Sequence, residues 1–181
     1  VDGGRKPELL AAIGANPGLR ARVRGTVPGS PTPSLTFQAF QLRYQGKFGA
    51  PVPAIFGMSG AYDAFYMVMY GMVAAGNGPL TGASIAAALP RVVQEGGTVL
   101  EVGGSNIGRG LQTLQSGNGL RLRGASGPLD FDAATGEAPN DVDVWCITGG
   151  ATGPAYASSG RYFSALERAM KGAVDATACQ L

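Results

Sequence analysis

Glycine and proline set the scale of what this chain can build. It holds 30 Gly and 12 Pro in 181 residues, about twice the ~12% that an average chain carries. That share stops short of the ~25–30% that signals low complexity, and the composition excludes a coiled coil. Hydrophobic residues reach 45%, enough for a packed core, while charged residues fall to 14%, against ~25% in average soluble domains. A disordered or supercharged chain is excluded on those grounds.

The missing residue types narrow the chemistry. Fourteen basic and twelve acidic residues leave a net charge of +2. That is too little for a dedicated nucleic-acid binder, whose affinity comes from Lys and Arg displacing phosphate counterions. There is no His, so a Ser-His-Asp triad, a His-activated Cys and a His-ligated zinc cannot be assembled from this chain. Cys146 and Cys179 show no CxxC spacing, which argues against a zinc site. Two readings of the pair stay open: small buried hydrophobes, or one disulfide formed in an oxidising compartment. The opening VDGGRKPELL has no apolar core of a signal peptide; if the protein is exported, its signal lies upstream of Val1 or has been removed. The longest apolar stretch, Ala61–Ala75, spans 15 residues and holds Asp63 and Gly71. It falls short of the ~20 residues of a membrane span and reads as a buried helix.

Periodicity predicts a mixed α/β order. A helix over Pro7–Ala15 is followed by an alternating strand over Leu19–Gly25, with Arg20, Arg22 and Arg24 as one solvated face. After the stiff PGSPTP segment (Pro28–Pro33), Ser34 caps a helix carrying Phe37, Phe40, Tyr44 and Phe48 on one side. Thr81 caps a helix to about Val93, Thr98–Val102 is a short strand, and Ser105 or Asn106 starts another helix. Strands are expected at Leu120–Arg123, Leu129–Phe131 and Val142–Thr148, a loop at Gly149–Ser159, and a last helix over Arg161–Gly172. Met67, Met69 and Met72 read as core filling.

Motifs for catalysis are thin. Gly103–Gly110 (GGSNIGRG) resembles a phosphate loop only superficially, because Arg109 and Gly110 stand where the Lys and the hydroxyl residue belong. No GxSxG elbow is present. Asp130/Asp132 and Asp141/Asp143 are paired carboxylates that could serve a hydrolase, but such pairs more often flank turns and face water.

Three stretches in order carry a resemblance. The first is Arg24-Gly25-Thr26-Val27-Pro28 with the aromatic helix ending in Phe48-Gly49. The second is Ala61-Tyr62-Asp63-Ala64 opening an apolar helix that ends in Ala-Ala-Gly. The third is Gly124–Glu137 (GASGPLDFDAATGE) followed by Asp143-Val144-Trp145. Together they resemble the C-terminal half of type 1 periplasmic solute-binding proteins of the branched-chain amino-acid-binding type, the receptors of ABC transporters. The resemblance implies a Rossmann-like α/β fold of two lobes, incomplete here. Residues 1–31 and 141–181 would belong to the second lobe and 32–140 to the first, with hinge crossovers near 28–33 and 138–141, where few backbone changes permit closure.

It further implies a non-catalytic receptor, without cofactor or metal, that closes on a small polar metabolite such as an amino acid. Asp2 would receive an ammonium group, and Phe56, Met58, Ser59 and Tyr62 would line the approach. Its partners would be a membrane permease, and either the missing N-terminal half or a second copy. A half receptor alone would bind weakly and expose apolar surface. The location implied is periplasmic or extracytoplasmic, with lipid anchoring through an upstream segment as one arrangement. The competing readings are a ligand-sensing domain of the same fold in a signalling protein, a carboxylate-dependent hydrolase, and an interaction module without a small-molecule cleft.

Overall fold

The computed structural model describes residues 5–29, 33–53, 57–132, 134–149 and 153–179. The chain is mixed α/β and divides into two compact units. One comprises Pro33–Pro53 and Gly57–Pro139; the other is drawn from the chain before 33 and after 139. No helix among the described residues is long and apolar enough to cross a membrane.

The 33–139 unit is helices on a small parallel sheet. Helix α3 (Leu35–Phe48) is capped by Ser34, whose hydroxyl accepts from Phe37 N–H, and ends at Gly49 in the left-handed region. Helix α4 (Met58–Ala74) contains the apolar segment read from sequence as a buried helix, but it is buried on one side only, with Phe65, Val68 and Met72 exposed. Helix α5 (Gly82–Val92) opens with a capping box between Thr81 and Ser84. Strands β2 (Thr98–Glu101) and β3 (Leu120–Arg123) pair in parallel, Thr98 opposite Leu120 and Glu101 opposite Arg123. Parallel strands need a crossover, and helix α6 (Ile107–Gln115) supplies it after a single 3-10 turn at Gly104–Asn106.

The core of this unit joins Tyr66 and Tyr70 of α4, Ala88 and Val92 of α5, Leu114 of α6, and Leu100, Leu120 and Leu122 of the sheet. Arg91, in the last turn of α5, donates to Ala74 O and Leu114 O, each at 3.0 Å. One side chain thus satisfies terminal carbonyls of both α4 and α6, groups that a helix leaves without internal partners. Met67 and Met69 pack against the core, whereas Met72 is exposed.

The second unit is an antiparallel sheet in the order β1–β4–β5–β6: β1 (Arg24–Pro28), β4 (Val142–Thr148), β5 (Ala155–Ser164) and β6 (Ala169–Lys171). Before it come α1 (Pro7–Ile13) and α2 (Pro17–Arg20), and after it α7 (Ala176–Cys179). Trp145 of β4 lies over Gly25 of β1 so closely that a Cβ there would sit 2.2 Å from the indole ring. A disulfide joins Cys146 of β4 to Cys179 of α7, which closes the question that the sequence left open.

Several elements differ from expectation. Arg161–Gly172 forms the β5–β6 hairpin instead of a helix. Phe163, Leu166 and Met170 do have helical spacing, but Phe163 pairs with Val142 and with Met170 across strands, and Leu166 is 92% exposed. Ala155–Ser159, expected as loop, is the start of β5. The alternating strand over Leu19–Gly25 gives way to α2: Pro17 at its first position suits a helix start, and Asn16 accepts from Leu19 N–H as its cap. Arg20, Arg22 and Arg24 therefore share no strand face. Leu129–Phe131 contributes only the backbone bond from Leu129 N–H to Leu122 O and an adjacent bridge at Pro128, not a strand.

Candidate functional site

In open α/β sheets ligands bind beyond the carboxyl ends of the strands. In the 33–139 unit those ends are Glu101 of β2 and Arg123 of β3, followed by Val102–Ser105 and by the Gly124–Gly127 turn. Helices α3 and α4 bring side chains to both.

Asp63 of α4 organises the turn after β3. It is 2% exposed. Its Oδ1 accepts from Ala125 N–H at 2.8 Å, and its Oδ2 accepts from Ser126 N–H at 2.7 Å and from Ser126 Oγ at 2.6 Å. The approach requires glycine at 124, where a Cβ would lie 2.3 Å from Oδ2. Burial pushes the Asp63 carboxyl above its ordinary value, and the bonds from Ser126 and Ala125 offset only part of that push. The second and third stretches of the sequence resemblance thus meet at one buried carboxylate.

Tyr62, the neighbour of Asp63, stands near the end of β2. Its ring packs on Phe40 (centroids 4.8 Å) and Tyr66 (5.0 Å). Burial, with the Tyr66 phenol second, raises its pKa to about 12, so the phenol keeps its proton and remains a donor at any physiological pH. Arg43 of α3 reaches the same place: it interacts with Tyr62 and donates to Ser105 Oγ at 3.2 Å. Its guanidinium also covers Gly103 and Gly104, close enough that a Cβ at either would lie 3.1–3.4 Å from its Nη1. Thr36 donates to Glu101 Oε2, and Asn106 donates through Nδ2 to Glu101 O at 2.9 Å.

Met58 and Ser59 form the first turn of α4, half-buried, behind Gly57 in the left-handed conformation and with no side-chain cap. Asp2 and Phe56 lie outside the described residues. Of the expected site residues, then, Tyr62 sits among polar partners at the end of β2, and Met58 and Ser59 precede it by one turn. Sequence reasoning missed Arg43, Thr36, Glu101 and Ser105. The available signal was the GG pair after β2, which exposes the strand end to whatever α3 carries. A shallow cavity of about 320 Å³ lies elsewhere, along Gln38, Gln41, Leu42 and Gln45 of α3.

The carboxylates weighed for hydrolysis are each engaged. Asp130 accepts from Arg121 Nε and Nη2, each at 2.8 Å, and from Arg123 at 3.3 Å. Asp132 accepts from Ala134 and Thr135 N–H, Asp141 from Ala165 N–H, and Asp143 from Ser158 Oγ. No group of three or more potential metal-ligating side chains occurs among the described residues. No family model, curated protein or solved structure matches the chain.

Proposed function

We propose that the chain is the carboxyl-terminal portion of an extracytoplasmic solute-binding receptor of an ABC transporter, of the type 1 architecture. It captures a small polar metabolite such as an amino acid and does no chemistry on it. The observation that carries this reading is the polar group at the carboxyl end of β2. The Tyr62 donor, the Arg43 guanidinium and the Ser105 hydroxyl converge there, where an α/β sheet offers its ligands. Charge and hydrogen-bond donors suit a carboxylate, since a guanidinium keeps its charge at every physiological pH.

Three further observations support it. The chain leaves one compact unit near residue 32 and returns to it near residue 140, as a receptor with crossover segments would. The Cys146–Cys179 disulfide suits an oxidising compartment. Asp63 joins two of the three stretches on which the resemblance rests.

The test is a thermal-shift screen of amino acids and related metabolites on the protein expressed with everything its reading frame encodes upstream of Val1. Binding to the native state alone raises the melting temperature. At least one metabolite is expected to do so and to be recovered unchanged. A panel without any shift, or conversion of the ligand, would overturn the reading.

A further inference from the structure

We propose that the antiparallel sheet carries a second ligand site, for a monocarboxylate with an apolar body, in a cavity lined by Arg24, Val144, Ser159, Arg161, Met170 and Val174. This site lies wholly within one unit and does not rest on the receptor reading.

Strand register sets an apolar row on this sheet, of which Met170 lines the cavity. Pro28, Val142, Phe163 and Met170 occupy one row across all four strands. Phe163 is 38% exposed, Met170 46% and Val174 38%, so this face stays open beyond α7. The cavity on it measures about 440 Å³, within the roughly 300–1,000 Å³ typical of small-molecule sites.

Its polar groups point to an anion. Arg24 is fixed in place: Nη1 donates to Arg20 O (3.1 Å) and Val23 O (2.7 Å), and Nη2 to Cys179 O (3.5 Å). Carbonyls satisfy its hydrogens without neutralising its charge, and among the described residues no carboxylate lies within ion-pair distance of it. Arg161, exposed and without a side-chain partner among the described residues, also lines the cavity. Ser159 is 1% exposed; its Oγ accepts from Arg161 N–H at 3.3 Å, and its hydroxyl proton has no acceptor among the described residues.

Two arginines without a carboxylate partner among the described residues therefore line the cavity with Val144, Met170, Val174 and the buried Ser159. The acids adjacent in sequence to lining residues, Asp143 and Asp175, do not line the cavity: Asp143 accepts from Ser158 Oγ, and Asp175 accepts from Ala178 N–H as the cap of α7. A guanidinium matches a carboxylate in geometry and charge, and the apolar walls call for hydrocarbon behind it.

Calorimetric titration with octanoate, octanol, octylamine and acetate tests both halves of the requirement. Octanoate is expected to bind saturably and at least tenfold more tightly than octanol or acetate, and octylamine not at all. Arg161→Gln is expected to weaken octanoate at least tenfold while leaving the melting temperature of the free protein unchanged, because the Arg161 side chain has no hydrogen bond or ion pair among the described residues to lose. Ser159→Ala is expected to weaken it severalfold, and Tyr62→Phe, in the other unit, to leave it unchanged. Equal binding of octanol would reduce the site to an apolar patch, and equal binding of acetate to an anion contact. Either result, indifference to Arg161→Gln, or no octanoate binding overturns the proposal.

Discussion

Replacing Asp63 by alanine removes the acceptor for three donors at once. Two of them are the backbone N–H groups of Ala125 and Ser126, and Ala125 is buried. A buried donor left without a partner costs about 1–3 kcal/mol; the buried Ala125 amide carries that cost and the half-buried Ser126 amide less, so the two together lose roughly 3 kcal/mol. The Ser126 hydroxyl, half-buried, turns to water and adds little. For a chain of this size each kcal/mol lowers the melting temperature by about 2–4 °C, so the variant is expected to melt roughly 10 °C lower. Asp63→Asn keeps one acceptor oxygen but presents an amide N–H to a donor, and about half the loss is expected.

Urea melts followed by circular dichroism should show a lower midpoint with unchanged slope, and amide exchange should accelerate at Ala125 and Ser126. The pH dependence has a definite sign. Burial raises the folded carboxyl above 3.8, so the folded state holds its proton more tightly than the unfolded chain does. The contribution of Asp63 is then fully present below about 3.8 and declines as pH rises through the folded value. The penalty for Asp63→Ala should accordingly be larger in acid than at neutral pH. A loss under about 0.5 kcal/mol, the level of an ordinary surface change, would refute the clamp, and a penalty that grows with pH would show that the donors outweigh burial at the carboxyl.

Cys146 and Cys179 are 33 residues apart, and by loop-closure entropy their bond is worth about 3.7 kcal/mol. The Cys146→Ser, Cys179→Ser double variant should lose about that much by urea melt, and a loss below 1 kcal/mol would count against it. Gly25→Ala drives a methyl into the indole of Trp145; as in other overpacked sites a cost of about 1–3 kcal/mol is expected, with a shifted emission from the single Trp. Asp130 is held below its ordinary pKa chiefly by the hydrogen bonds from Arg121. Its stabilisation is present above 3.8 and lost as pH falls through the lowered value, a loss that Asp130→Asn should abolish in acid titrations. At neutral pH the same substitution should cost no more than about 1 kcal/mol, because the partners are a third exposed.

The helical unit was legible because its signals are local. Ser34 and Thr81 cap where a hydroxyl precedes an apolar period, and Leu120–Arg123 alternates buried and half-buried residues as a strand should. The hairpin β5–β6 was not, because Phe163, Leu166 and Met170 meet helical spacing by coincidence and the pairing of Phe163 with Val142 is invisible without the fold. The Leu19–Gly25 alternation misled because Asn16-Pro17 starts a helix there in preference to a strand.

At the site, Tyr62 was found through its motif, but Arg43 lies on a helix whose periodicity says only that the position avoids the apolar side. Its meeting with Ser105 spans 62 residues of sequence and is fixed by tertiary packing alone. The role of Asp63 was hidden similarly: a lone acid in an apolar run signals burial with partners, and only the fold names Ala125 and Ser126.

The receptor reading is tested most directly by calorimetric titration of the metabolite that gives the largest thermal shift, on the full reading-frame product and on its Arg43→Ala and Tyr62→Phe variants. The account expects saturable binding of one unaltered ligand per chain. Arg43→Ala should weaken it at least tenfold and Tyr62→Phe severalfold, with both variants folded. Undiminished affinity in the two variants, or no bound metabolite in the unaltered protein, would contradict it.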